Sequence, residues 1–261
     1  MQKRIVNQNN HFLFLLLFCL IILVSCAPPK SKITRNETNL KNSVSFSGYE
    51  WNIKNTTKRV GPGNNFFSSS TENVWVNNQG QLNLRISKQN ERWNCAEIIS
   101  KQHFGYGYYE FFITTKLDKL DKNAVLGLFT YDNKQKPHYN EIDIEFSKWG
   151  NENTTNAQYV IHKNQNEFNS FKFLVEKNLI KSTHIILRNK DSIYFASYEG
   201  HFKNALYNKK PYQSWSYKND FRPSPANEKI HINLWLFRAN PLIEKKEEIV
   251  IIEKFEFVPM K

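Results

Sequence analysis

Between residues 81 and 258 apolar and polar side chains alternate in short runs, and no stretch keeps a convincing apolar face at helical spacing. The runs cover 81–88, 95–101, 106–116, 124–130, 141–147, 157–162, 171–176, 184–188, 192–198, 230–238 and 249–258, and polar turns such as Asn77-Asn78-Gln79-Gly80 punctuate the chain. A strand hides only one of its faces, so a chain of many short strands must stack two sheets or close one into a barrel. The expected fold is therefore an all-β sandwich or barrel. Composition supports one such core: 40% of the 261 residues are hydrophobic and 15% aromatic, with only 9 Gly and 9 Pro. Those values exclude collagenous, low-complexity and disordered classes.

The first residues read differently. Lys3 and Arg4 precede an apolar run from Phe12 to Val24. That run is shorter than the roughly 20 residues a spanning helix needs, but it suits the core of a secretory signal. It ends in Leu23-Val24-Ser25-Cys26, which resembles the lipobox of bacterial lipoproteins, where the chain is cut before the cysteine and the sulfur is lipidated. The expected organisation is a signal peptide at 1–25, a polar tether at 26–45 and one domain at 46–261. Cys26 would anchor the exported protein to a membrane of the bacterial envelope. Cys19 leaves with the signal and Cys26 carries lipid, so Cys95 has no partner for an internal disulfide. The Asn-x-Thr triplets at Asn36, Asn55 and Asn153 carry no weight in such a protein. The formal net charge is +12, but the Lys and Arg residues are scattered, and a protein expected to be exported rarely meets nucleic acid. No nucleic-acid partner is expected, and the chain is expected to act as a monomer.

The segment Glu141-Ile142-Asp143-Ile144-Glu145-Phe146 carries the most chemistry. On a strand Glu141, Asp143 and Glu145 share one face, and Ile142, Ile144 and Phe146 share the other. Three carboxylates on one face repel each other, so the arrangement is costly unless it is used. The outer two lie about 13 Å apart at Cα, and side chains leaning inward bring the carboxyls to about 5–5.5 Å, the separation of a retaining glycosidase.

The same segment resembles the active-site strand of family-16 glycoside hydrolases, in the bulge-free E-x-D-x-E form of bacterial lichenases and plant xyloglucan enzymes. Trp93-Asn94-Cys95-Ala96-Glu97-Ile98-Ile99-Ser100 is similar to the C-A-E-x-x-S strand of lichenases, and Tyr106-Gly107-Tyr108-Tyr109-Glu110 to their Y-G-x-Y-E. Leu128-Phe129-Thr130-Tyr131 and the later Asn233-Leu234-Trp235 follow in the expected order. The resemblance implies a concanavalin A-like β-jelly-roll of two antiparallel sheets with a concave glycan cleft. It also implies that Glu141 is the nucleophile, Glu145 the general acid/base, and Asp143 an electrostatic assistant beside them. Such a division of labour needs Glu141 ionised and Glu145 protonated, and the charge of Asp143 helps hold the proton.

Parity supplies the cleft wall. Ile230, Ile232, Leu234 and Leu236 form an apolar face, leaving His231, Asn233 and Trp235 on the other, where a tryptophan can stack on a sugar ring and an asparagine can bind hydroxyls. The resemblance adds Glu110 as a ligand of sugar hydroxyls and Gln158 on the strand after the catalytic one. Tyr131 and Trp149 are further candidate platforms. The long segment 201–229, rich in aromatics, reads as an ordered wall of a site. The chain also departs from the family. The disulfide partner of Cys95 falls near Phe66-Phe67, and Phe112, Val160 and Asn189 replace an Arg, an Asn and a Trp. Lys254 stands where a last-strand carboxylate would serve a structural calcium.

Catalysis on this strand needs no cofactor. The chain has no HExxH, no paired cysteines at zinc spacing and no phosphate-binding Gly-rich loop, so no catalytic metal is expected. The reading is a surface-anchored retaining endo-glycosidase acting on a β-linked polysaccharide. A transglycosylase on the same site and a non-catalytic glycan-binding lipoprotein are the alternatives.

Overall fold

The computed structural model describes residues 41–260, apart from 133, 135–139, 153–154, 165, 176–177, 204, 219–220 and 244–245. The expected signal peptide, Cys26, Asn36, Asn153 and the tether up to residue 40 lie outside the described residues. The chain first forms β1 (Ser43–Phe46), β2 (Tyr49–Ile53), β3 (Phe66–Phe67), β4 (Val74–Val76) and β5 (Leu82–Gln89). Next come β6 (Arg92–Ser100), β7 (Gly107–Thr114), β8 (Ala124–Tyr131), β9 (Ile142–Phe146), β10 (Ala157–His162) and β11 (Phe168–Phe173). The last are β12 (Lys181–Arg188), β13 (Ile193–Glu199), β14 (Gln213–Tyr217), β15 (Lys229–Leu236) and β16 (Glu247–Pro259). The alternating runs become strands β5 to β13, β15 and β16, so the all-β expectation holds.

Hydrogen bonds link β11-β10-β9-β8-β15-β6 in one direction and β5-β16-β7-β12-β13-β14 in the other. Strand β6 serves both sheets: its Asn94 end pairs with β5, and its Ile98–Ile99 end pairs with β15 and β2. The chain thus folds over at β5–β6 into two stacked antiparallel sheets, the jelly-roll sandwich. Their inner faces meet through Tyr159 of β10, stacked on Phe195 of β13 at 4.9 Å, and Phe146 of β9, 4.7 Å from the His184 ring of β12.

This packing fixes the facing of β9. Ile142, Ile144 and Phe146 are fully buried between the sheets, each worth about 1.5–3 kcal/mol. A slip of one residue would drive Glu141, Asp143 and Glu145 into that core instead, so the register is strongly specified.

Two expectations need correction. Strand β1 starts at Ser43, inside the stretch read as tether, and the Lys41 backbone N–H already bonds to Ser69 O at 3.0 Å. The 201–229 segment sends none of its described residues to the cavity over Glu141, Asp143 and Glu145. It contributes a helical turn (Ala205–Asn208) and edge strand β14 to the second sheet, with Trp215 stacked on Phe195 at 5.5 Å.

Candidate active site

Side chains opposite each other on neighbouring strands share a face, so the registers of the first sheet assemble its concave surface in rows. One row runs from Gln158 on β10 through Glu145 on β9, Gly127 on β8 and Asn233 on β15 to Glu97 on β6. The next places Val160, Asp143, Phe129, His231 and Ile99 in line. The third begins at His162, whose backbone N–H bonds to Glu141 O at 3.1 Å, and Tyr131 lies at the adjoining end of β8. From β9 across to β6 these rows line a cavity of about 510 Å³. Its floor carries Glu141, Asp143 and Glu145, and its walls include Tyr131, Asn233, Trp235 and the loop at Gly61-Pro62.

The acidic strand has the electrostatics that acid–base chemistry requires. Burial, reinforced by the charge of Glu141, pushes the Glu145 carboxyl up to about 7, although a 2.7 Å hydrogen bond from Gln158 Nε2 favours its ionised form. Burial and then the charges of Glu141 and Glu145 hold the Asp143 carboxyl well above the usual range. Asp143 Oδ2 also lies 3.0 Å from His162 Nε2. Glu141, Asp143 and His162 offer ligand atoms within 4.8 Å of one another, among the described residues the one group able to hold a metal ion.

A second polar cluster faces them across the cavity. Glu97 accepts hydrogen bonds from Lys54 Nζ at 2.7 Å and forms a 2.8 Å bond with His231 Nδ1. Burial opposes ionisation of Glu97, but the His231 bond and the Lys54 charge outweigh it and hold the carboxyl below its ordinary range. Between the two clusters Gly127 leaves a gap, since a Cβ there would lie 2.5 Å from Asn233 Oδ1. Gly63 likewise lets the Gly61-Pro62 loop close on Trp235; its φ is +67° and a Cβ would meet Trp235 Cζ3 at 2.6 Å.

Of the residues expected at the site, the structure brings Glu141, Asp143, Glu145, Tyr131, Asn233 and Trp235 into the cavity and sets Gln158 against Glu145. Trp149 does not line it. Its ring packs edge-on behind Trp235 at 6.4 Å and against Phe237 at 5.5 Å. Glu110 is misplaced by the sequence reading. It sits on β7 in the other sheet, opposite Ile185 and Glu256, with its carboxyl raised by burial and by the Glu256 charge. The glutamate in the cleft is Glu97, whose only sequence signal is the Cys95-Ala96-Glu97 triplet. Both its neighbours and their neighbours are apolar, so alternation does not single it out. Lys54 gave no signal at all.

Cys95 is buried and free, and it lies opposite Phe67 in the β3–β6 pairing, where a disulfide partner would have to be. Lys254 is bonded to Glu256 Oε2 at 2.6 Å with its ammonium 5.8 Å from the Phe112 ring. At the position that the resemblance gives to a calcium-binding carboxylate, its charge would repel the ion.

A family model described as Glycosyl hydrolases family 16 matches residues 62–240. A beta-glucanase of Paenibacillus polymyxa is 34% identical over 94 residues, which is 35% of this chain and 37% of that protein. The match therefore spans little more than a third of that relative's length. Among solved structures, Bacillus licheniformis beta-glucanase superposes with a TM-score of 0.60 at 18% identity, covering 84% of this chain and 99% of that one. A prokaryotic beta-1,3-1,4-glucanase from a mouse hindgut metagenome gives 0.59 at 18% identity over 80% and 93%. A Mycobacterium tuberculosis protein described as an immunostimulatory antigen and pseudo beta-1,3-glucanase gives 0.62 at 16% identity over 81% and 91%. At these identities the structures attest a common fold.

Proposed function

Because the chain belongs to glycosyl hydrolase family 16, we propose that it is a retaining endo-glycosidase that hydrolyses a β-linked polysaccharide, a β-glucan or a close relative. The observation that carries this reading is the pairing on β9. Glu145 holds its proton up to about 7, while Glu141 lies on the same face two pleats away. Glu141 attacks the anomeric carbon as a carboxylate, forming a glycosyl ester, while Glu145 passes its proton to the departing oxygen. Glu145, now ionised, takes a proton from water, and that water cleaves the ester with a second inversion. Asp143, lying between them, holds the charge balance of the pair. Trp235 and Tyr131 offer ring faces to the sugar, and Asn233 and Glu97 offer hydroxyl partners. In this reading the reaction uses no cofactor.

The lipobox-like Leu23-Val24-Ser25-Cys26 supports export and lipid anchoring of a monomer at the cell envelope, with the tether carrying the domain to its polymer. Mass analysis of Cys26 tests the anchor, and an unmodified cysteine rejects it. The mechanism is tested by the configuration of the first product, read by NMR before mutarotation. Retention is expected, and an inverted anomer rejects double displacement. A protein that binds glycans yet turns over none would be a non-catalytic glycan-binding lipoprotein.

A further inference from the structure

We propose that the exposed ring of Phe168, on edge strand β11, receives a sugar on the leaving-group side of the bond cut, so that β10 and β11 hold the departing half of the glycan. The inference rests on the glycosidase reading and assigns the part of the concave sheet that the cavity leaves without a ligand.

The cavity lies to one side of β9. Apart from β9 itself, its lining comes from β6, β8, β15 and the loop around Lys54 and Pro62. A polymer cut in its interior must continue in the other direction, over β10 and β11. The acid supports this polarity. Gln158 grips Glu145 from β10, opposite to the cavity, so the carboxyl that protonates the leaving oxygen is held toward β10.

On β11 the inward side is fully occupied. Asn169 bonds to the Tyr217 hydroxyl at 3.1 Å, and Phe171 stacks on Trp215 at 6.2 Å. By alternation Phe168, Ser170 and Lys172 face the same way as the catalytic carboxylates, opposite His162, Val160 and Gln158. Phe168 therefore stands in line with Glu141, two strand spacings away, or about 9.6 Å. Its ring lies 5.7 Å from that of His162, which in turn reaches Asp143 at 3.0 Å. The side chain is 56% exposed. An edge strand is normally protected by charge, so a phenylalanine left more than half exposed there is unusual. The apolar face of a pyranose ring is the ligand that matches a bare aromatic in line with the carboxylates. Ser170 and Lys172 beside it present groups that bind sugar hydroxyls.

Leu174 is the natural control, because it is also exposed, at 64%, but lies beyond the end of β11. The experiment compares wild type, Phe168→Ala, Phe168→Trp and Leu174→Ala. The substrates are mixed-linkage glucan, laminarin, xyloglucan, a sulfated galactan, and aryl β-oligosaccharides whose small leaving group ends short of β11. On the polymer turned over fastest, Phe168→Ala should lose about tenfold in kcat/KM, the scale of one lost stacking contact. On the aryl substrates it should stay within about twofold of wild type, a split that a general structural defect would not give. Phe168→Trp should restore the polymer rate, and Leu174→Ala should change neither. Equal losses on both substrate types, or no loss on either, overturn the inference while leaving the glycosidase reading intact. If the wild type is inert on all of them, the glycosidase reading fails. Calorimetric titration with oligosaccharides of the same polymers then decides the platform. Weaker binding by Phe168→Ala supports it, and equal affinity, or no binding by either protein, overturns it.

Discussion

Gln158 Nε2 donates a 2.7 Å hydrogen bond to Glu145 Oε2 from the position directly opposite on β10. The bond is made to the carboxylate form, so it restrains the rise that burial and Glu141 impose on Glu145. Without it the proton would be held more tightly still. In the proposed mechanism the pair thus sets both where the acid points and up to what pH it remains an acid.

Gln158→Leu should move the alkaline limb of the kcat/KM profile upward. The proposed mechanism requires Glu145 protonated, and removal of a donor to its ionised form raises its pKa further. A shift of about half to one pH unit is expected, equivalent to about 0.7–1.4 kcal/mol. A limb that stays in place, or moves down, would show that the bond does not tune the acid.

Glu145 also makes the protein less stable as pH rises. Its folded-state value is raised from 4.5 to about 7, so its favourable contribution is complete below the ordinary value and is lost as pH climbs through the folded one. Glu145→Gln should therefore be more stable than wild type at pH 8, by on the order of 3 kcal/mol, and about equal to it near pH 4. Urea unfolding at the two pH values reads this directly. A difference of the same size at both would reject it.

Gly127→Ala should injure binding more than folding. The added methyl meets the Asn233 side chain, which has to turn away from its place in the cavity wall. A stability loss of about 1–3 kcal/mol is expected, together with a raised KM for the glycan. Unchanged KM in a well-folded variant would remove Asn233 from the list of sugar ligands.

Cys95 should be chemically silent in the native state. Burial pushes its thiol up to about 12, which leaves almost no thiolate at neutral pH. Thiol reagents should label it only under denaturing conditions. Rapid labelling of the native protein would mean that the β3–β6 pairing opens.

The alternation of Ile142, Ile144 and Phe146 with three acids was sufficient to mark the acidic strand and its facing, because a pleated chain turns successive side chains to opposite sides. The same rule placed Asn233 and Trp235 beside the cavity, and it marked eleven of the sixteen strands among the described residues. Strands that were very short, such as β3 and β4, or flanked by turn residues, such as β14, left too little pattern to read.

Alternation describes a strand relative to its own sheet and carries no information about which sheet that is. Glu110 and Glu97 both lie among apolar neighbours on well-marked strands, yet β7 joins the outer sheet and β6 crosses into the concave one. Only the long-range registers decide this, since they bring Glu97 beside Asn233, residues far apart in sequence, and set Lys54 and His231 around its carboxylate. The chemical identity of the acidic strand was local and legible in the sequence. The composition of the cleft around it was set by packing between sheets, which no local pattern encodes.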